Sequence, residues 1–211
     1  MKIKTFTTES DFIKNSVDFI TKNKGKHIAL SGGKTPFPIY KALAKSQKFP
    51  FSKTHFYQVD ERYVPINHPN SNHKMIKSAF KDKLINWHYF NTSLPISQAL
   101  KQYQKKIKNI NFDLAILGIG PDGHTASLFP KSKALETKAQ TAHTITNKFP
   151  IKDRLTITFP KILKSKKILI LLKGSNKESI IKELLNPQKS PTYFPAHELS
   201  KHKNLHIFFK N

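Results

Sequence analysis

The sequence predicts an α/β fold: a three-layer sandwich with a mostly parallel, Rossmann-like sheet covered by helices on both faces, residues 1–211 forming a single domain. Three observations predict it. Short aliphatic or β-branched runs alternate with amphipathic segments along the whole chain, the pattern of strands joined by crossover helices. The runs HIALS, FDLAILG and KKILILLKG are apolar at nearly every position, as strands buried on both faces must be. Glycine is scarce, seven in all, yet Gly32 and Gly33, then Gly118, Gly120 and Gly123, then Gly174 all sit at the ends of those three runs.

The elements follow in order. DFIKNSVDFITKN, residues 11–23, has helical apolar spacing, and HIALS, 27–31, is a strand entering the turn SGGKTP. PFPIYKALAKS starts on a proline, which suits a first helical turn, and continues as an amphipathic helix. THFYQVD, 54–60, reads as one strand, followed by a polar loop to about Asn70 and a helix through Phe80 for which Ser71 and Asn72 look like the cap. ISQALKQYQKKIKN is helical, FDLAILG, 112–118, is the most apolar strand, and TAHTIT and RLTITF are β-branched strands. KKILILLKG, 166–174, is a buried strand, KESIIKELL a helix and NLHIFF a last strand. In such sheets ligands bind beyond the carboxyl ends of the strands, so SGG, DER, IGPDGH and GSNK would share one rim.

Composition narrows the function classes. The chain has no cysteine, which removes disulfides, thiol nucleophiles and thiolate metal sites. Its first residues, MKIKTFTTESDFIKN, hold no apolar signal core, and no window approaches the roughly 18 apolar residues of a membrane span, so a soluble cytoplasmic protein without membrane contact is expected. Lysine and arginine number 37 against 13 acidic residues, for a net charge of +24. That charge predicts non-specific polyanion binding, and a non-catalytic basic polyanion-binding protein is one alternative reading. The lysines are scattered, however, with no arginine-rich arm or basic block, so no specific nucleic-acid partner is expected.

Only two of the 37 basic residues are arginines, Arg62 and Arg154. A guanidinium offers the planar bidentate fork that lysine lacks, so these two positions are candidates for carboxylate or phosphate recognition. Ser31, Gly32, Gly33, Lys34 and Thr35 form a strand–turn–helix start, which is either an ordinary tight turn or an anion cradle at a helix N-terminus. In DER, Arg62 could hold a phosphate or a developing oxyanion with Asp60 or Glu61 orienting it, or belong to a surface ion pair. His68 and His73 read as loop and helix-surface residues; no metal-ligand spacing is present, so neither a metal site nor another cofactor is expected. In GIGPDGHTASLFP, His124 stands on a glycine-shaped turn at a strand end, where a general base can face a cleft, and Asp122 two residues earlier could influence its orientation or contact substrate.

Taken together, SGGKTP, DERYVP followed by NSN, and GIGPDGHTASLFP resemble the 6-phosphogluconolactonases of the glucosamine-6-phosphate isomerase/6-phosphogluconolactonase superfamily, and RLTIT, GSNK and FPAHEL extend the resemblance over nearly the whole chain. The related deaminases share a GxGxDGH core but continue differently from TASLFP, so a glucosamine-6-phosphate deaminase-like enzyme is the second alternative. The resemblance implies hydrolysis of 6-phospho-D-glucono-1,5-lactone, with His124 as general base, Arg62 assisting binding or charge stabilisation, and Gly32, Gly33, Thr35, Arg154 and Lys177 holding the phosphate or lining the pocket. Gly120, Ser31, Lys34 and Asp60 complete the expected substrate-binding set, Asp122 the catalytic one, and a monomer or weak homodimer is expected. Three features depart from the family pattern. Lys34 stands where the family usually has serine, the segment from Phe80 to Ile96 is short, and the closing HIFFKN lacks the acidic residue common near Lys210.

Overall fold

The computed structural model describes residues 1–211. In chain order the elements are β1 (Lys2–Phe6), α1 (Glu9–Lys22), β2 (His27–Leu30), α2 (Pro36–Ala44), β3 (His55–Gln58), β4 (Asp60–Arg62), α3 (Asn72–Phe80), β5 (Asn86–His88), α4 (Ile96–Ile107), β6 (Leu114–Leu117), β7 (Thr141–Ile145), β8 (Asp153–Ile157), α5 (Phe159–Ile162), β9 (Ile168–Lys173), α6 (Glu178–Leu185) and β10 (Leu205–Lys210). Seven strands form one sheet in the order β1-β10-β9-β6-β2-β3-β5, every pairing parallel. Three more, β4-β8-β7, form a small antiparallel sheet.

Strand alternation explains the two cores. Ile28, Leu30, Leu114, Ile116, Leu169 and Leu171 point to the face covered by α1, α2 and α3, where they pack with Phe12, Ile20, Ile39, Tyr40 and Ile76. Ala29, Ala115, Leu117, Ile168, Ile170 and Leu172 point the other way, onto α4, α5, α6 and the small sheet, against Tyr103, Ile162, Leu184 and Leu155. Both sides of the strands are therefore dry, as their unbroken apolar runs require. Lys161 is buried on the second face, where its Nζ donates to the carbonyls of Ile107 and Ile110 and satisfies groups that the end of α4 leaves open.

Four features differ from the sequence reading. The run 54–60 is not one strand: β3 ends at Gln58, Val59 donates to the Leu30 carbonyl (3.0 Å), and Asp60–Arg62 leaves to pair with β8. TAHTIT and RLTITF do form strands, but in the small sheet, because β7 and β8 are an antiparallel hairpin. Two edge strands, β1 and β5, carry too few buried apolar residues to announce themselves. His73, expected on the surface of α3, is 6% exposed, packed against Tyr89 and accepting a hydrogen bond from the Trp87 indole (3.2 Å). Ser71 caps α3 as expected, its hydroxyl accepting from the Lys74 amide.

The order of strands places the site. From β2 the chain passes to β3 on one side, whereas from β6 it passes, through the small sheet, to β9 on the other. The neighbouring carboxyl ends of β2 and β6 thus open a crevice between their two glycine loops, the topological position at which such sheets bind ligands.

Candidate active site

A cavity of about 510 Å³ lies over that crevice. It is lined by Ser31, Gly32 and Lys34 after β2, by Gly118, Gly120 and His124 after β6, and by Asp60, Arg62 and Arg154 from the small sheet. Lys177, following β9, reaches in and donates to the Ile119 carbonyl at 2.9 Å. Burial lowers the Lys177 pKa and the charge of Asp122 opposes that shift.

Two glycines are required by close approach. A Cβ on Gly120 would lie 2.1 Å from the imidazole of His124, so only glycine lets the ring fold back over its own loop. A Cβ on Gly32 would lie 2.0 Å from the Asn72 amide oxygen, which brings the SGG turn against the start of α3.

The His124 side chain is held by its neighbour. His124 Nδ1 lies 2.5 Å from one oxygen of Asp122, and the same oxygen accepts the His124 backbone N–H at 3.2 Å. The other oxygen accepts from Lys148 Nζ at 2.7 Å. Burial would raise the Asp122 pKa, but the hydrogen bonds from His124 and Lys148 outweigh it and hold the carboxyl well below the usual range. A carboxylate on Nδ1 selects the tautomer that carries its proton there, which leaves the Nε2 lone pair free. Phe129 and Phe149 pack on the ring at centroid distances of 4.8 and 5.9 Å.

The two arginines face each other directly, Arg62 paired with Arg154 across β4 and β8. Like charges opposed on one face repel, so this register is stable only with counter-charge, which here comes in part from Asp60 and Glu61. Burial and the charge of Arg62 lower the Arg154 pKa, while those two carboxylates raise it. Arg62 Nη1 donates to the Asn70 carbonyl at 2.6 Å, while its Nε is buried without a partner. Arg154 Nε donates to the Ile151 carbonyl at 3.0 Å, and its guanidinium sits 5.5 Å from the Phe149 ring. Two guanidinium groups with donors to spare border one cavity, an arrangement whose chemistry suits a dianion such as phosphate.

Glu61 does not orient Arg62 through a side-chain contact. Its buried carboxylate accepts instead from five donors: the backbone N–H groups of Arg62, Asn72 and His73 (each 2.7 Å), Gln58 Nε2 (2.7 Å) and Ser71 Oγ (3.0 Å). Burial pushes its pKa up against the pull of those bonds. The residue is an anchor that ties β4 to the start of α3. Asp60 faces the cavity, accepting from Ser127 Oγ at 2.7 Å and from the Asn72 amide.

Of the expected residues, nine line the cavity: Ser31, Gly32, Lys34, Asp60, Arg62, Gly120, His124, Arg154 and Lys177. Asp122 stands behind His124, Gly33 borders an adjoining pocket of about 450 Å³ shared with Lys34 and Arg62, and Thr35 lines neither. Asn72, Ser127, Phe129 and Phe149 line the cavity without having been expected there. No group of three or more His, Asp or Glu side chains converges on a position suited to a metal ion.

Comparison with known proteins shows the family and the fold. A family model described as glucosamine-6-phosphate isomerases/6-phosphogluconolactonase matches residues 7–207. The chain is 38% identical over 189 residues to the 6-phosphogluconolactonase of Thermotoga maritima, covering 86% of this chain and 85% of that one. A crystal structure of 6-phosphogluconolactonase from the same organism superposes with a TM-score of 0.88 and 31% identity over 99% of this chain and 98% of the other. A monomeric glucosamine-6-phosphate deaminase superposes as well, with a TM-score of 0.89 over 100% and 98% of the two chains, but at 21% identity that likeness concerns the fold alone.

Proposed function

This chain belongs to the family of glucosamine-6-phosphate isomerases and 6-phosphogluconolactonases, and within it we propose a hydrolase that opens 6-phospho-D-glucono-1,5-lactone to 6-phosphogluconate in the oxidative pentose phosphate pathway. The observation that carries this reading is the placement of His124: its Nδ1 is tied to Asp122, and its ring borders the same cavity as both arginines.

In the proposed mechanism the substrate's phosphate lies toward Arg62 and Arg154, with Lys34 and the SGG turn beside it, which orients the sugar ring by its remote end. His124 Nε2 takes a proton from a water molecule as that water attacks the lactone carbonyl carbon. The C–O bond to the ring oxygen then breaks, and the imidazolium returns the proton to the departing alkoxide. The cationic rim, Lys177 included, offsets the charge that develops on the carbonyl oxygen. Ser127 is not the nucleophile in this scheme, since its hydroxyl is engaged by Asp60.

The whole chain acts as one domain on a small sugar-phosphate lactone, without metal or organic cofactor and without a specific nucleic-acid partner. It acts as a monomer or weak homodimer in the cytoplasm. No helix is long and apolar enough to cross a membrane.

The test follows ring opening of freshly made lactone by NMR against the unassisted reaction. Wild type is expected to accelerate it, and His124→Ala to lose about 10²- to 10⁴-fold of that acceleration with its fold intact. A wild type no faster than background, or a variant with wild-type turnover, overturns the reading.

A further inference from the structure

The His124–Asp122 pair makes one ion-pair contact outside its own loop. The hairpin joining β7 to β8 is closed by the Thr146 amide donating to Lys152 (3.1 Å), and its tip is ordered by the Lys148 amide donating to Thr146 Oγ1 (3.2 Å). From that tip Lys148 reaches back 26 residues in sequence to the second oxygen of Asp122. The chain has 37 basic residues, yet only four lysines stand within ion-pair distance of a carboxylate, and this one meets the carboxylate that holds the base. The next residue, Phe149, lies edge-on to His124 and beside Arg154, so one short segment touches the base, its carboxylate and the anion site.

We propose that Lys148 is a positioning residue for His124: by clamping the outer oxygen of Asp122 it fixes the carboxylate that selects the Nδ1–H tautomer, and it withdraws part of the negative charge that would otherwise favour imidazolium. The ion pair is no stability device. Lys148 is 57% exposed while Asp122 is 19% exposed, and a half-solvated pair of this kind contributes little to folding. Its effect falls on the base instead. With the ammonium present, the Asp122 carboxylate is shared between Lys148 and the imidazole and exerts less pull on the His124 proton. Without it, the carboxylate faces His124 alone and is free to rotate.

This inference rests on the assignment of His124 as general base, and the experiment separates the two. Lys148→Gln removes the charge at an exposed site and should leave the fold unchanged. One charge acting through a shared carboxylate in a partly screened setting shifts a titration by about 0.5–1 pH unit, a factor of about 3–10. The acid limb of kcat/KM is therefore expected to move up by that amount, with a 3- to 10-fold loss near the limb, a smaller loss on the alkaline plateau and little change in KM. Lys148→Arg should restore the wild-type limb, and added salt should shrink the difference between wild type and Lys148→Gln. In parallel, ¹⁵N NMR of the His124 imidazole, which needs no turnover, should show the same upward shift. An imidazole titration unchanged by Lys148→Gln overturns the proposal even if the enzyme is a lactonase. A shift in the imidazole without lactone turnover in wild type supports the positioning role and overturns the functional reading instead.

Discussion

Replacing Glu61 by glutamine changes one atom, and the structure specifies the cost. One carboxylate oxygen accepts from the amides of Arg62 and Asn72, the other from the His73 amide, Gln58 Nε2 and Ser71 Oγ. A glutamine amide can replace only one oxygen with NH₂. Turned toward Arg62 and Asn72, it confronts both backbone donors with a third. Turned the other way, it confronts the His73 amide and Gln58 Nε2. Ser71 can rotate its hydroxyl and accept, but Gln58 cannot flip its amide without abandoning the Phe90 amide that its oxygen accepts at 3.1 Å. Either orientation leaves two buried donors unpaired at about 1–3 kcal/mol each, and the negative charge at the start of α3 is lost for roughly a further 0.3–1 kcal/mol. The expected destabilisation is about 4 kcal/mol, or roughly 10 °C in Tm for a chain of this size. Urea unfolding followed by circular dichroism measures it. A loss below about 1 kcal/mol would refute the account, since the donors would then have found other partners and the tie between β4 and α3 would not depend on this carboxylate.

Three further outcomes are expected. Arg62→Lys should lower kcat/KM about 10- to 100-fold despite keeping the charge, because an ammonium cannot supply the fork opposite Arg154; steady-state kinetics at fixed ionic strength check it, and unchanged values would remove Arg62 from the site. Gly120→Ala places a methyl group 2.1 Å from the His124 ring and should cost at least about 100-fold in turnover while circular dichroism stays native; retained activity would show that the ring is not used where it stands. His27 and His88 should make the fold acid-sensitive. Burial, with the charges of His55, Lys106 and His27, holds His88 down at about 4 from 6.5, and burial lowers His27 as well, so the unfolded chain binds more protons in that interval. Stability is complete above pH 6.5 and declines toward pH 4. Urea midpoints at pH 7.5 and 5 should differ, and His88→Phe, which keeps a ring against Tyr57, should flatten the difference; equal slopes in the two proteins would count against it.

The strands and helices of the main sheet were legible because burial on two faces leaves unbroken apolar runs, and β2, β6 and β9 are such runs. The edge strands were not. In β1 only Phe6 is buried, and β5 consists of half-buried Asn86, Trp87 and His88, held by parallel pairing with β3 and by stacked rings rather than by an apolar pattern. The break between β3 and β4 is invisible for another reason: no glycine, proline or asparagine marks it, and the partner that draws Asp60–Arg62 away lies more than ninety residues later in the chain.

The same division runs through the site. Glycine clusters and rare arginines are signals in composition, because each does what no commoner residue in this chain can do, and both led to residues that line one cavity. That the two arginines are register partners is a non-local fact that composition does not carry. Asn72 and Ser127 enter through Asp60, as members of a hydrogen-bond network anchored at β4, so their role depends on the strand break that the sequence conceals. Lys148 is the extreme case. As one of the abundant lysines it has no signal at all in sequence, and only the hairpin that carries it to Asp122 distinguishes it. In a chain this rich in lysine, rarity finds the groups whose chemistry is special, whereas the groups whose position is special become visible only in three dimensions.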